Sequence, residues 1–289
     1  MPTINSPLRY PGGKAALSDF LAQLIEVNGL EDGVYAEPYA GGAGAALSLL
    51  FAERVCRIIL NDADPCVYAF WKAVLNQTDQ FLDLMAATPV TIEEWIRQRE
   101  IYRHPRRHSR LRVGFAAFYL NRCNRSGVIV NGGPIGGLKQ DGQWKLDARF
   151  NRQELTRRVE KVALYRDRIS VFNDDALDFM DRLGTNASVD RMLVYLDPPY
   201  YVKGSELYLN YYRHEDHVRL AKYVKRRAAF KWVMSYDDVP QIHALYRGRK
   251  PVAFNLNYSA SAPKIGCELL IHCKGLTMPE TPNLMKVAV

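Results

Sequence analysis

Residues 34–44 read VYAEPYAGGAG, a short apolar run that ends in a glutamate and passes into a glycine-rich turn. The pattern that follows, in residues 45–51, is helical, so this stretch predicts a strand, a tight turn and a helix. A second short strand, residues 57–60, ends at Asn61 and Asp62. A strand, a glycine turn, a helix and a strand ending in an acid predict the first half of a doubly wound α/β sheet.

The rest of the sheet is predicted to follow a long interruption. Residues 78–147 are charged and aromatic, with no strand alternation before residues 128–130, and they include a loop rich in glycine. We interpret residues 78–160 as an inserted, mainly helical subdomain, and residues 1–77 and 161–289 as one catalytic sheet domain. Apolar runs that predict the remaining strands return at residues 169–172, 192–196, 231–234, 252–256 and 268–272.

The composition excludes several classes of protein. Hydrophobic residues make up 48% and charged residues 24% of the chain, so neither a disordered nor a fibrous protein is expected. No apolar run reaches the roughly 18 residues of a membrane-spanning helix, and the N-terminus resembles neither a signal nor a transit peptide. The five cysteines contain no C-x-x-C pair, which argues against a disulfide framework or a structural zinc. We expect a soluble, cytoplasmic protein.

The basic charge of the chain is concentrated in two segments. The net charge of +8 favours a polyanionic partner. Seven arginines and a single acid, Glu100, lie between residues 97 and 112. Six further basic residues lie within residues 219–231, on a predicted helix, where a solvated helix face explains them as well.

The glycine turn and Asp62 form the first candidate site. Glycines between a strand and a helix let the backbone approach a bound cofactor closely. Asp62 follows Gly42 by 20 residues, at the end of the next strand, where a carboxylate can accept hydrogen bonds from ribose hydroxyls. The spacing is not G-x-G-x-x-G, so it indicates a nucleoside-containing ligand without saying which one. A purely structural tight turn is the alternative.

Residues 197–200 read DPPY and form the second candidate site, directly after the apolar run 192–196. The carboxyl end of such a strand lies at the ligand-binding crevice of an open α/β sheet, and the prolines prevent a helix from starting there. The Asp197 carboxylate and the Pro198 carbonyl can converge as two acceptors beside the Tyr200 ring. This arrangement suits the planar amino group of a nucleobase. Accepting both N–H bonds would draw the nitrogen lone pair out of conjugation and direct it at an electrophile.

Four segments occur in the order found in the Dam-like (D12 class) N6-adenine DNA methyltransferases. They are RYPGGK at residues 9–14, EPYAGGAG at 37–44, ILND at 59–62 and DPPY at 197–200. Residues 258–270 also resemble the family's C-terminal hairpin, and the order of segments is similar to the family's α arrangement. The resemblance implies a Rossmann-like, S-adenosylmethionine-dependent methyltransferase sheet. It further implies a site-specific enzyme that methylates N6 of a flipped-out adenine in double-stranded DNA.

The motifs and the resemblance together assign roles to particular residues. The catalytic residues are Asp197, Pro198 and Tyr200. The expected contacts to S-adenosylmethionine are Tyr10, Lys14, Glu37, Gly41, Gly42, Gly44, Asp62, Asp175 and Asp197. Tyr10 and the proline after it stand where many relatives have tryptophan and alanine. For Asp175, its neighbour Asp174 is an alternative, and either could instead cap the following helix. No metal is implied.

The insertion is expected to bind DNA. Residues 118–127 read FYLNRCNRSG and resemble the family's segment just before its glycine-rich loop, and arginine and asparagine suit bidentate contacts with guanine and adenine. The arginines of residues 97–112 are expected to contact phosphates. The predicted DNA-binding residues are Arg103, Arg106, Arg107, Arg110, Asn121, Arg122, Asn124, Arg125 and Ser126. The alternative is a structural loop whose asparagines satisfy backbone groups.

Several alternatives stay open at this point. The aromatic residues of 203–212 either close over the flipped base or pack against the sheet, and His214 and His217 are interpreted as structural or surface residues. The enzyme could instead methylate an amine of RNA or protein, although methylases acting on glutamine often carry NPPY rather than DPPY. An inactive DNA-binding regulator on the same fold is a further reading. A monomer, bacterial or phage-encoded, is expected, with a restriction nuclease or a phage-defence cassette as its potential partner.

Overall fold

The strands form one mixed sheet in the computed structural model, which describes residues 5–9, 17–202, 212–249, 251–258 and 264–279. The strands are β1 (Val34–Glu37), β2 (Arg57–Asn61), β3 (Ile169–Phe172), β4 (Met192–Leu196), β5 (Lys231–Asp237), β6 (Val252–Tyr258) and β7 (Lys264–His272). Within the described residues their order is β3-β2-β1-β4-β5-β7-β6. Strands β1 to β5 run parallel, whereas β7 is antiparallel to both β5 and β6. The predicted α/β sheet is confirmed.

The point where the strand order reverses lies between β1 and β4. Ala36 of β1 pairs with Ile59 of β2 on one side and with Val194 of β4 on the other. All five residues of β4 are buried, as expected for a parallel strand covered on both faces. The carboxyl ends of β1 and β4 therefore meet where open α/β sheets bind their ligands.

Helices cover both faces of the sheet and fill the insertion. They are α1 (Ser18–Val27), α2 (Gly44–Phe51), α3 (Pro65–Asn76), α4 (Thr78–Ala87), α5 (Ile92–Arg103), α6 (Arg110–Cys123), α7 (Arg152–Leu164), α8 (Ala176–Gly184), α9 (His214–Arg226) and α10 (Pro240–Leu245). Polar side chains cap several of them; for example, Asp64 accepts the N–H of Cys66 at the start of α3. None of the helices in the described part of the chain is long and apolar enough to span a membrane.

The inserted helices share a hydrophobic core with the sheet domain. Phe70 of α3 stacks on Phe118 of α6, with ring centroids 5.9 Å apart, and both rings contact Phe81 of α4. Gly114 lets α6 approach α3 closely, since a Cβ there would lie 2.5 Å from the carbonyl oxygen of Ala69. The predicted division at residues 78 and 160 stays a prediction, and α7 crosses its second boundary.

Residues 128–130, before which the insertion shows no strand alternation, are not a strand, and residues 129–131 form a bend. The side-chain amide of Asn124 donates to the carbonyl oxygens of Val128 at 2.7 Å and Ile129 at 3.3 Å. These carbonyls therefore have a local partner and need no neighbouring strand.

Candidate active site

The glycine turn after β1 is held by the acid at the end of β2. The N–H of Gly41 donates to Oδ2 of Asp62 at 2.8 Å, and the indole N–H of Trp71 donates to the Gly41 carbonyl at 3.0 Å. Gly41 has a φ of +45°, a region that favours glycine. Gly42 is buried, and Gly44 is the first residue of α2. The predicted turn and the predicted acid are thus in direct contact.

Asp62 is half-buried and already accepts two backbone hydrogen bonds. Its other oxygen, Oδ1, accepts the N–H of Asp64 at 2.9 Å. Burial raises the pKa of Asp62 to about 7, and the charge of Asp64 adds to the rise, while the two backbone N–H groups oppose it. Because each carboxylate oxygen can accept more than one hydrogen bond, Asp62 keeps the capacity to accept ligand hydroxyls.

Asn61 joins the loops that follow β1, β2 and β3, a role that no sequence motif indicates. Its fully buried side chain donates to the carbonyls of Pro38 at 3.0 Å and Asp174 at 3.1 Å. Its amide oxygen accepts the N–H of Asp174 at 2.9 Å. The signal that could have identified it is its place directly before the acid at a strand end. Asn61 fixes the relative position of three loops at the carboxyl edge of the sheet.

Asp175 lies at the start of α8 and caps that helix. Its carboxylate accepts the N–H of Leu177 at 2.9 Å, and the side chain is exposed. The neighbouring Asp174 pairs with Arg182 at 3.0 Å. Asp175 therefore caps the helix, which is the alternative role given above. The contact of Asp175 with a cofactor stays a prediction.

Glu37 ends β1 as a buried carboxyl group. It accepts the hydroxyl of Tyr35 at 3.0 Å and the N–H of Ala46 at 3.2 Å, and it is 5% exposed. Burial raises the pKa of Glu37 to about 8; the nearby Asp197 carboxylate adds to the rise, and both hydrogen bonds oppose it. A cation close to Glu37 would therefore stabilise a charge that burial disfavours.

Asp197 follows β4 directly and lies beside β5. Its Oδ1 accepts the hydroxyl of Ser235 at 2.9 Å. Pro198 and Pro199 are buried, whereas Asp197 and Tyr200 are half-buried. The predicted catalytic residues are therefore held together at the end of a central strand, next to the end of β1.

Tyr200 is held by the carboxyl group of Glu268, which lies 68 residues later in the chain. Its hydroxyl donates to Glu268 of β7, which is 1% exposed. Burial raises the pKa of Tyr200 well above its usual value, and the charges of Asp197 and Glu268 add to the rise, so the ring stays an uncharged phenol. Glu268 belongs to the predicted hairpin, but the sequence analysis assigned it no role.

Asp237 holds the backbone just beyond DPPY. Its two oxygens accept the N–H groups of Tyr201 and Val202, each at 3.0 Å.

The predicted cofactor contacts Tyr10 and Lys14 lie outside the described residues. Most of the aromatic segment 203–212 also lies outside them.

The histidines on α9 differ in environment. His214 is exposed, and its Nδ1 lies 3.1 Å from the hydroxyl of Tyr201. His217 is buried, with Nδ1 2.8 Å from the hydroxyl of Tyr236. Burial lowers the pKa of His217 to about 4, so it is neutral at physiological pH. These contacts agree with the structural or surface interpretation.

The predicted phosphate-binding arginines form an exposed patch. Arg103 ends α5, Arg106 and Arg107 lie in the turn that follows, and Arg110 starts α6; all four side chains are exposed. Arg103 pairs with Glu100 at 3.1 Å. No acid among the described residues lies within ion-pair distance of the other three, so their charges are available to a polyanion.

Asn121 does not lie on the surface of the insertion. It is fully buried on α6, where its Oδ1 accepts the N–H of Arg9 at 2.6 Å. Its Nδ2 donates to the carbonyls of Arg9 at 2.5 Å and Gly127 at 2.9 Å. Its amide therefore ties the segment just before residues 10–14 to the insertion, and a base contact is not supported.

Asn124 and Arg122 are also enclosed by protein. Asn124 is fully buried and accepts the indole N–H of Trp95 at 2.7 Å. Arg122 is 8% exposed and donates to the carbonyl of Arg149 at 2.7 Å. Burial lowers the pKa of Arg122 to about 9, with the charge of Arg9 as the next cause. The structural alternative fits these residues, and their predicted DNA contacts are not supported.

Of the remaining predicted DNA contacts in this segment, Arg125 is exposed and Ser126 is half-buried. Ser126 has a φ of +55°, an uncommon conformation for a residue with a side chain. These two residues remain candidates for base reading.

The strand order, the glycine turn held by a strand-end acid and the DPPY segment at the reversal point define a Rossmann-like α/β protein with its candidate site at that point. The sequence model of the family described as D12 class N6 adenine-specific DNA methyltransferase matches residues 10–259. The chain belongs to this family and is a transferase. Membership implies S-adenosylmethionine as the methyl donor and double-stranded DNA as the substrate.

Similar solved structures include a "putative RNA methyltransferase" from Pyrococcus horikoshii, with a TM-score of 0.44 and 10% identity over 94% of this chain and 87% of that one. The rRNA methyltransferase aviRa from Streptomyces viridochromogenes has a TM-score of 0.33 and 14% identity, over 87% of this chain and 83% of that one. No curated protein matches the chain significantly.

Proposed function

We propose that the protein methylates N6 of a flipped-out adenine at a specific site in double-stranded DNA, with Asp197, Pro198 and Tyr200 as its catalytic residues. The observation that carries the proposal is the position of DPPY, which directly follows β4 beside the end of β1, in a D12-class chain. That position is the ligand-binding crevice of an open α/β sheet.

The residues around the ends of β1 and β2 fit S-adenosylmethionine. When bound, it supplies an electrophilic methyl group on a positively charged sulfur. Asp62 would accept ribose hydroxyls, and Glu37 would stabilise the positive charge, because a cation favours the ionised form of a buried carboxyl group. The full set of proposed contacts is Tyr10, Lys14, Glu37, Gly41, Gly42, Gly44, Asp62, Asp175 and Asp197.

The target base reaches this crevice by leaving the duplex. An adenine stacked in DNA cannot contact the ends of the strands, so it is flipped out at a cost of a few kcal/mol. Asp197 and the Pro198 carbonyl accept the two N6 hydrogens, and the Tyr200 ring stacks on the base. Held in this way, the N6 lone pair would be directed at the methyl group that S-adenosylmethionine supplies when bound.

Asp197 acts mainly by orientation and charge. The attacking nitrogen becomes positive as its bond to carbon forms, and the Asp197 carboxylate stabilises that charge until N6 loses a proton. Positioning and preorganised electrostatics supply most of the rate.

DNA affinity is proposed to come from Arg103, Arg106, Arg107 and Arg110. Exposed arginines contact phosphates and contribute affinity without reading sequence. Arg125 and Ser126 are the proposed contacts to bases. Asn121, Arg122 and Asn124 are not included, because protein groups enclose them.

The test is incubation of the purified protein with unmethylated plasmid DNA and methyl-labelled S-adenosylmethionine, followed by modification-sensitive sequencing. Label on adenine N6 at one recurring sequence, lost in Asp197→Ala, would support the proposal. An RNA substrate tested in parallel separates the two nucleic acids. Absence of label, with cofactor and DNA still bound, would favour an inactive regulator or an enzyme that needs a restriction or defence partner.

A further inference from the structure

Two buried hydroxyl groups form a chain of hydrogen bonds that ends on the Asp197 carboxylate. The Ser235 Oγ is 2.9 Å from Oδ1 of Asp197 and 2.7 Å from the hydroxyl oxygen of Tyr195. Ser235 is fully buried and Tyr195 is 2% exposed. Neither residue belongs to the proposed catalytic, cofactor or DNA sets.

The sheet itself brings these groups together. The register that pairs Leu196 of β4 with Met234 of β5 brings Ser235 level with Asp197. Tyr195 lies on β4, two residues before Asp197.

The direction of each hydrogen bond follows from the chemistry of the groups. An ionised carboxylate only accepts, so Ser235 donates its single hydroxyl proton to Asp197. Ser235 must then accept from Tyr195 in the second bond. Burial raises the pKa of Tyr195 well above its usual value, so the phenol keeps the proton that it donates. Both donors therefore point towards Asp197.

We propose that Ser235, oriented by Tyr195, is a positioning residue for methyl transfer that fixes the plane of the Asp197 carboxylate. The inference rests on the proposed role of Asp197 as an acceptor for the substrate amine. Ser235 acts through Asp197, because its hydrogen bond holds one carboxylate oxygen and restricts a terminal torsion that is broad in carboxylate side chains generally. A preoriented acceptor needs no reorganisation when charge develops on the nitrogen.

Neutral hydroxyl donors suit this position because other acids lie close by. Glu37 at the end of β1 is near enough for its pKa to be raised by the Asp197 charge. Glu268 of β7 contacts Tyr200, the last residue of DPPY. A hydroxyl relay orients Asp197 while leaving its negative charge for the nitrogen that becomes positive.

The experiment compares Ser235→Ala and Tyr195→Phe with Tyr246→Phe as a matched control. The Tyr246 hydroxyl is also buried, but it donates to the sulfur of Met234 at 3.3 Å rather than to Ser235 or Asp197. For each variant we would measure the single-turnover rate of adenine methylation at saturating cofactor and DNA, the Kd of each ligand, and the melting temperature.

We expect Ser235→Ala to lower the single-turnover rate about 10- to 100-fold. This factor corresponds to the free energy of one hydrogen bond to a charged group. Tyr195→Phe should lower it less, because Ser235 can still donate, and Tyr246→Phe should leave it unchanged. The Kd values should be unchanged in all three. A purely structural role would instead lower the melting temperature without changing the rate of the folded enzyme.

The outcomes separate this inference from the proposed function. An active wild-type enzyme with an equally fast Ser235→Ala variant would overturn the inference and leave the function intact. A wild-type protein that binds both ligands without methylating adenine would overturn both. If Ser235→Ala does not fold, Tyr195→Phe carries the test, since it removes one oxygen and keeps the ring packing.

Discussion

The carboxyl edge of the sheet and the end of helix α6 both carry polar motifs, but the acids that follow β2 and β4 are partly exposed, whereas the asparagines at the end of α6 are buried. Asp62 and Asp197 follow strands and lie half-buried at the crevice. Asn121 and Asn124 are fully buried and bond mainly to the protein backbone. The topology of a parallel sheet fixes where a strand-end residue points, whereas a helix-end residue can face solvent or core. A polar motif is therefore stronger evidence of function at a strand end.

The sharpest test of the sheet edge is Asp197→Asn, which keeps the size of the side chain and removes its charge. We expect the single-turnover rate to fall about 100- to 1,000-fold, the usual effect of removing one preorganised electrostatic group. Because Asp197 is also a proposed cofactor contact, the rate is measured at saturating S-adenosylmethionine, and calorimetry gives the cofactor Kd of the variant separately. A variant as active as the wild type would show that the strand-end acid is not catalytic.

The sharpest test of the insertion is Asn121→Ala. It leaves the carbonyls of Arg9 and Gly127 without this donor, and the bond to Gly127 is buried, so we expect a loss of about 2–4 kcal/mol in the free energy of unfolding. Chemical denaturation measures this loss, and Asn131→Ala, at an exposed asparagine of the same insertion, is the control. Unchanged stability together with altered sequence preference would restore Asn121 as a base-reading residue.

The double variant Arg106→Ala/Arg107→Ala tests the exposed part of the insertion. Removing two phosphate contacts should weaken DNA binding about tenfold and reduce the slope of log Kd against log salt by about 2. Stability should stay within about 0.5 kcal/mol of wild type, because exposed substitutions rarely exceed that. Arg54→Ala, an exposed arginine of the sheet domain, is the control. An unchanged salt dependence would show that Arg106 and Arg107 do not contact phosphates and that the DNA-binding surface lies elsewhere.

The smallest expected effect is a pH dependence of cofactor binding. The pKa of Glu37 is raised to about 8 and that of Asp62 to about 7, so both are partly protonated near neutral pH. A cationic ligand with ribose hydroxyls favours their charged forms, so binding releases protons and tightens a few-fold as the pH rises from about 6 to about 9. Calorimetry in buffers of different ionisation enthalpy measures the release.

The Glu37→Gln variant should release fewer protons on cofactor binding, because it lacks the carboxyl group of Glu37. Binding that weakens as the pH rises would contradict the assigned role of these two carboxyl groups. Arg122, whose pKa is lowered to about 9, stays largely charged over most of this range and should add little to the dependence.

Much of the fold could be predicted because buried parallel strands leave continuous apolar runs. Strands β1, β3 and β4 have the predicted bounds, whereas β5 extends to Asp237, three residues beyond the prediction. The extension carries the polar residues Ser235 and Asp237, which interrupt the apolar run because they hold the DPPY segment. A single polar residue in a strand forms no recognisable sequence pattern. Its function can be inferred only from the residues that it contacts on the neighbouring strand.

The buried role of Asn121 was hidden for a different reason. Residues 113–123 of α6 are all buried, so this part of the helix has no polar face to indicate which side meets solvent. Gly41 and Asp62, by contrast, were predicted together because their spacing reflects two consecutive strands of one sheet.

The contact between Arg9 and Asn121 also orders events during synthesis of the chain. The two residues are 112 positions apart, so the backbone of Arg9 emerges from the ribosome long before its partner. At about 5–20 residues per second, the N-terminal segment would wait several seconds or longer for the end of α6. Residues 5–9 can therefore reach their final position only after helix α6, which lies 112 positions later at Asn121, has been translated.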